Sequence, residues 1–351
     1  MELRAKTVEL LSEPAEELPV AVGKKTPTIA LEKEIGIRPV TLRTGRSRAI
    51  FKLQQGIVRG VRRFLEESSF TELFTPKIVA SGAEGGANIF SLDYFGRKAY
   101  LAQSPQFYKQ MLVPVYERVF EIGPVFRAEK HDTARHLNEY ISIDAEMGFI
   151  DSFYDIIELE TAMLKAVFAL LEGECSGYLR ELGAALPPIG EVPCMRFREI
   201  KEKVAEKYSR KIRDPFDLEP EEERLISRYA KEEFGSDFIF VTHYPAKKRP
   251  FYAMDDPEDP KYTLSFDLLF RGLEITTGGQ RIHDYAMQVE KMRAKGLDPA
   301  DFETYLMLHK YGCPPHGGFG MGLERLLLML LDEKNIRTTS MFPRDTLRLE
   351  P

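Results

Sequence analysis

From Arg48 to about Glu67 the apolar residues Ile50, Leu53, Ile57, Val61, Phe64 and Leu65 return at helical spacing, the pattern of an amphipathic helix that lays one face on a core. The strand-like run LFTPKIV follows it. Further runs, AYLAQ, RVFEIGPVFRAE, EYISIDAEMGFI, DFIFVTHY, YTLSFDLLF and LEITTG, mostly alternate apolar with polar residues. That alternation predicts a sheet with one solvated face, and so antiparallel pairing. Helical patterns fill 151 to 173, 197 to 208, 218 to 233, 284 to 295 and 323 to 331, and no internal repeat is visible. The class predicted is α+β, with a large antiparallel sheet.

Residues 1 to 17 also alternate as a strand would (Leu3, Ala5, Thr7, Val8, Leu10), and PVAVGKKTP after them reads as a linker. That is too little for a domain. A chain of 351 residues with 43% hydrophobic content buries one large core, or one core plus a small appendage. No run approaches the roughly 18 consecutive apolar residues of a membrane span, and the start MELRAKTVEL is charged where a secretory leader is apolar, so no membrane contact and a cytoplasmic location are expected. Cys175, Cys194 and Cys313 show no C-x-x-C spacing and read as reduced, structural thiols. A net charge of -6 argues against a surface that grips nucleic acid everywhere. Local basic clusters at Arg210, Lys211, Arg213 and at Lys247, Lys248, Arg249 are either RNA contacts or solvated charge.

Four constellations carry chemistry. Arg127 and Glu129 close one strand-like run, and Tyr140, Ser142, Asp144 and Glu146 share a face of the next. A guanidinium, a carboxylate and an aromatic ring suit a phosphate, an amino group and a base, although a salt-bridged sheet surface gives the same pattern. In FDLLFRGLEITTGGQR, Arg271-Gly272 reads as the centre of a two-residue hairpin. The register then sets Leu269 opposite Glu274 and Asp267 opposite Thr276, so Asp267 and Glu274 share a face roughly 7 Å apart. Such a pair suits a magnesium ion that also holds phosphates, or is a repelling pair on a wet surface. The glycine-dense HGGFGMGLERL lets backbone lie against a flat ligand, with Arg325 at a helix start, or is a packed loop-to-helix junction. Lys109 in QSPQFYK and Arg281 after Gly278-Gly279 would together select a ligand with an extra carboxylate. Taken alone, Lys109 reads as a surface helix residue.

Together and in this order these segments resemble the motifs of class II aminoacyl-tRNA synthetases, and within them the archaeal type of aspartyl-tRNA synthetase, over about Leu31 to Pro351. FRAEKHDTARHLNEYISIDAEMGF resembles the second motif, GGFGMGLERL with NIR and FPRD the third, and the helix and strand ending at Pro76 the first. The resemblance implies a catalytic domain over 31–351 with a six- or seven-stranded antiparallel sheet flanked by helices. It also implies a homodimer built partly through the segment around Pro76. The implied activity is ATP- and magnesium-dependent formation of aspartyl-adenylate, then transfer to the acceptor end of tRNA.

On the same resemblance, Arg127 holds the α-phosphate, Glu129 reads the adenine amino group, and Tyr140 is the aromatic residue at the adenine. Arg325 holds the γ-phosphate beside Gly322, Arg135 and His136 lie near the polyphosphate, and Asp267 with Glu274 binds magnesium. Ser104, Gln106, Lys109, Gly279 and Arg281 match aspartate positions, and asparaginyl enzymes carry an acid where Lys109 stands. Ser81 to Phe90 resembles the loop that closes over the amino acid, with Glu84 at its tip. Enzymes of this family begin with a five-stranded anticodon-binding barrel, of which residues 1–30 resemble only the last strand and the hinge. Thr338 and Thr339 after NIR, and His131-Asp132, also depart from the pattern. The rival readings are a stand-alone enzyme that passes activated aspartate to ammonia and a non-catalytic binding paralogue; the complete ATP and magnesium set disfavours the second.

Overall fold

The computed structural model describes residues 4–23, 29–82, 88–130 and 132–350. Within 4–23 there is no strand, and most of the segment is exposed, so the alternation forms no paired strand among the described residues. Two short helices, α1 (Leu31–Gly36) and α2 (Arg38–Thr41), lead into α3 (Gly45–Glu67). Thr44 caps α3 by accepting from the Ser47 amide at 3.3 Å. The residues at helical spacing, Ile50, Leu53, Ile57, Val61 and Leu65, are its buried stripe.

Next come β1 (Thr71–Glu72), β2 (Ile78–Val79), β3 (Ser91–Tyr94) and β4 (Arg97–Leu101), then α4 (Gln106–Tyr116), β5 (Arg118–Phe126) and β6 (Glu139–Gly148). Helices α5 (Tyr154–Glu174) and α6 (Ser176–Leu182) follow, then β7 (Cys194–Arg196), α7 (Phe197–Lys207) and α8 (Pro220–Phe234). Pro220 at the first turn, a Glu219–Glu222 capping box and left-handed Gly235 bound α8. The chain ends with β8 (Phe238–Thr242), β9 (Ser265–Phe270), β10 (Leu273–Gln280), α9 (Tyr285–Ala294), α10 (Glu303–Lys310), β11 (His316–Gly322) and α11 (Leu323–Leu330).

The main sheet has eight strands in the order β1-β5-β6-β11-β10-β9-β8-β7. Its six central strands pair antiparallel, as the alternation predicts. The edge strands β1 and β7 add in parallel, so the sheet is mixed rather than purely antiparallel. AYLAQ departs from the expectation too: β4 joins a separate three-stranded sheet with β2 and β3. The glycine-dense segment is not a loop but the central strand β11, between β6 and β10. Helices α3 and α5 bury the far face of the sheet, where Ile143, Ala145, Phe266, Leu268 and Phe319 pack. On the opposite face, α7 and α8 cover β8 and β9 through Phe197, Ile226, Ile239, Val241 and Leu269, and polar side chains line the part over β6 and β10.

Candidate active site

The pleat of β6 alternates Ile143 and Ala145 into the core with Ser142 and Asp144 out to the other face. On that face lies a cavity of about 500 Å³. Ser104, Gln106 and Lys109 reach it from the start of α4. Arg127, Glu129, Arg135 and His136 come from the β5–β6 connection, and Tyr140 from β6. Glu274 and Arg281 line it from β10 and just beyond, and Gly322 and Arg325 from the β11–α11 junction. Segments up to 221 residues apart therefore converge as the family pattern implies. Asp267 and Gly279 do not line the cavity; Asp267 is buried beside it, and Gly279 (φ +154°) packs its backbone on Leu264 and Ser265. Glu84 and His131 lie outside the described residues.

Lys109 is not a surface residue: it is 1% exposed. Its Nζ lies 3.1 Å from Asp144 Oδ1 and 3.3 Å from Glu146 Oε2, and it donates to the Phe319 carbonyl at 2.9 Å. Arg281 holds the other oxygen of Glu146, Nε to Oε1 at 2.9 Å, and donates to the Gly318 carbonyl at 2.9 Å. Burial pushes the Glu146 carboxyl upward, but Arg281 and Lys109 outweigh it and hold the group below the usual carboxylate value. Two cations thus share the buried Glu146 carboxylate, and Lys109 takes the buried Asp144 as a second partner. Gln106 completes this end, with a buried Nε2 that has no hydrogen-bond partner.

At the other end Arg325 donates to the Glu274 carbonyl at 2.9 Å and lies 3.3 Å from its Oε1. Arg135 pairs with Glu223 of α8, whose carboxyl burial raises to about 7, with Arg135 opposing and Glu274 adding to the rise. His136 stands 3.7 Å from Glu129 and bonds Thr133 Oγ1 at 2.6 Å. Asp267 is raised to about 6 by burial, against the pull of Arg249 and with a push from Glu274. The hairpin turn is Arg271-Gly272 as read from sequence, both at positive φ. A bulge between Glu274 and Thr276 shifts the register, however, so Asp267 stands opposite Thr277, not Thr276. Glu274 still adds to the rise of Asp267.

Sequence reasoning missed three contributors. Arg249, read as part of a basic surface cluster, lines the cavity and is 11% exposed; the signal was the Pro-Phe-Tyr run after it, which is drawn into the core at Phe251 and Tyr252. Glu324 accepts from the Ile141 amide at 3.1 Å, where β6 runs past the end of β11, and burial raises it to about 8. Arg337 ties the β5–β6 connection to the C-terminal segment through Asp132, the Thr133 carbonyl and Asp345.

The model of the tRNA synthetases class II (D, K and N) matches residues 31–346. The chain belongs to this family. It is 48% identical to the aspartate–tRNA(Asp/Asn) ligase of Thermus thermophilus, over all of this chain and 82% of that protein. It is 46% identical to the enzyme of the same name from Aeropyrum pernix, over all of this chain and 80% of that one. Among solved structures, the asparaginyl-tRNA synthetase of Pyrococcus horikoshii complexed with asparaginyl-adenylate superposes with a TM-score of 0.86 at 32% identity, over 92% of this chain and 74% of that one. A putative aspartyl-tRNA synthetase from Leishmania major gives 0.84 at 32% identity, over 97% and 75%. No helix of the described residues is long and apolar enough to cross a membrane.

Proposed function

We propose that this class II synthetase is an aspartate–tRNA ligase, which forms aspartyl-adenylate from ATP and aspartate and passes the aspartyl group to the acceptor end of tRNA in the cytoplasm. The observation that carries the reading is the pairing of Lys109 and Arg281 on the buried carboxylate of Glu146, in the same cavity as Arg127, Glu129 and Arg325. A carboxylate ligand accepts charge-assisted hydrogen bonds from both fixed cations there, which the single neutral oxygen of an amide matches less well. The names of the relatives in Thermus and Aeropyrum favour tRNA over ammonia as acceptor.

In this reading an α-carboxylate oxygen of aspartate attacks the α-phosphorus in line; the bond to the bridging oxygen breaks, and pyrophosphate leaves. Arg127 and Arg325 bind phosphate oxygens and offset the charge that develops on them. Glu129 accepts from the adenine amino group, Tyr140 supports the ring, Arg135 and His136 flank the polyphosphate, and Gly322 lets it approach the start of α11. Gln106, Ser104 and the backbone at Gly279 complete the aspartate site. A buried Asp267 that Glu274 pushes upward, and whose Oδ1 has no aligned hydrogen-bond donor, fits a divalent cation. Asp267 and Glu274 would hold magnesium, which when bound neutralises and orients the triphosphate.

The test is pyrophosphate exchange into ATP with magnesium and without tRNA. Exchange is expected with aspartate and not with asparagine; a folded sample with no aspartate-dependent exchange would sink the reading. AMP release measured with tRNA and, separately, with ammonium identifies the acceptor, and release driven by ammonium alone would overturn the tRNA assignment.

A further inference from the structure

Arg249 is held in the cavity wall by a stretch of chain with little freedom. The Lys248 amide donates to the Pro245 carbonyl at 3.0 Å, Pro245 bridges to Tyr262 and Ala253 to Arg281, and Phe251 and Tyr252 are buried. The guanidinium carbon lies 3.9 Å from the centroid of the buried Tyr244 ring, which fixes the plane of the fork. Nη2 is 2.8 Å from Asp267 Oδ1, close enough to attract but not aligned as a hydrogen bond. Nε and Nη2 are both buried with no hydrogen-bond partner. The neighbouring cations are ion-paired as well, Arg325 with Glu274, Arg135 with Glu223 and Lys248 with Asp214 and Asp217, but none of them has a buried side-chain nitrogen without a hydrogen-bond partner.

Buried, unmatched guanidinium donors are costly unless an oxygen-rich anion meets them. Two anions enter this cavity in the proposed reaction. The aspartate side chain belongs with Lys109 and Arg281, around Glu146; Arg249 instead borders Asp267, and Glu274 is the next charge that acts on it. We propose that Arg249 is a further phosphate-binding residue, which presents its planar fork to the polyphosphate of a nucleoside triphosphate. This rests on the ATP half of the reading above and not on the identity of the amino acid. Asp267 keeps the guanidinium turned to the cavity, and the phosphates supply the acceptors that Nε and Nη2 lack.

The experiment is equilibrium binding of ATP and of adenosine by calorimetry, in magnesium and without amino acid, for wild type, Arg249→Met and Arg249→Lys. Loss of charge-assisted hydrogen bonds should weaken ATP binding by about ten- to a hundredfold in Arg249→Met and leave adenosine binding unchanged. Arg249→Lys, which keeps the charge against Asp267 but loses the fork, should still bind ATP several-fold more weakly than wild type. A lysine variant equal to wild type would mean that Arg249 only balances Asp267, and would overturn the proposal; so would an equal loss for adenosine. Should Arg249→Met not fold, the lysine variant alone decides. Wild type that binds ATP yet shows no aspartate-dependent exchange would remove the amino-acid assignment and leave Arg249 standing.

Discussion

Glu160 sits in the middle of α5, fully buried, and neither of its carboxyl oxygens has a hydrogen-bond partner. Burial pushes its carboxyl up to about 8, eased slightly by the nearby Thr276 hydroxyl and reinforced by Asp267. The unfolded chain returns the group to about 4.3. Because the folded value is the higher one, the folded protein binds the extra proton between these limits, so stability is full below the unfolded value and is lost as pH rises toward 8. Glu160→Gln keeps the shape without the charge. It should match wild type in urea unfolding near pH 5 and be more stable at pH 8, by on the order of 3 kcal/mol; curves that keep the same separation at both pH values would refute the assignment. Nothing in the sequence marks this residue, since a Glu in an amphipathic helix normally faces water. The same blindness hid Lys109: type and spacing suggested its chemistry, but its burial comes from β6 and β11, which lie distant in the chain. Arg127, Glu129 and Arg325 were legible because motifs of type and order fix them.

Elements were easier to read than their pairing. The periodicity of α3, α5, α7, α8 and α11 is carried by each helix's own buried residues, so a local signal is enough. Strand β11 carries no strand signal because its glycines deny it an alternating pattern, and the reason for those glycines is tertiary. A Cβ on Gly318 would lie 2.1 Å from the Ala145 carbonyl and 2.2 Å from Glu146 Oε2. The first is backbone of the adjacent strand, which cannot yield without breaking the β6–β11 ladder; the second is the carboxylate that Lys109 and Arg281 share. Gly318→Ala should therefore cost about 3 kcal/mol in urea unfolding, and raise the aspartate KM in any sample that still folds. Gly320→Ala, whose Cβ comes no closer than 3.2 Å to a side-chain oxygen of Asp144, should be far milder. Equal stability of the two variants would show that the close strand packing is not what the glycines serve. The bulge after Glu274 likewise left no trace in the sequence: a two-residue turn fixes register only where the ladder beyond it stays regular.

At the scale of the whole molecule, one margin of the main sheet carries apolar side chains that its own core does not cover. Phe74 is 88% exposed and Phe149 68%, with Val115 and Tyr116 also exposed. These residues lie close to β1, the end strand of the sheet, to the end of α4 and to the end of β6. Beneath them Leu73, Val113 and Val119 form a small buried cluster, and Glu121 holds Thr75 and Lys77 on either side of Pro76. The segment is thus stiff, apolar outward and anchored inward, which is what a self-complementary interface requires. We propose that it joins two copies of the chain, as the resemblance around Pro76 implies. Wild type should sediment as a dimer at micromolar concentration. Phe74→Glu would set two carboxylates in the interface, one from each copy, and should weaken association by at least about a hundredfold, the cost of a few kcal/mol of buried like charge. Because Glu121 and Thr75 hold the first motif against the strand that leads to Arg127, the monomeric variant should also lose pyrophosphate exchange while its helical circular dichroism stays intact. A wild-type monomer, or a Phe74→Glu variant that sediments as wild type does, would show that these side chains serve another contact.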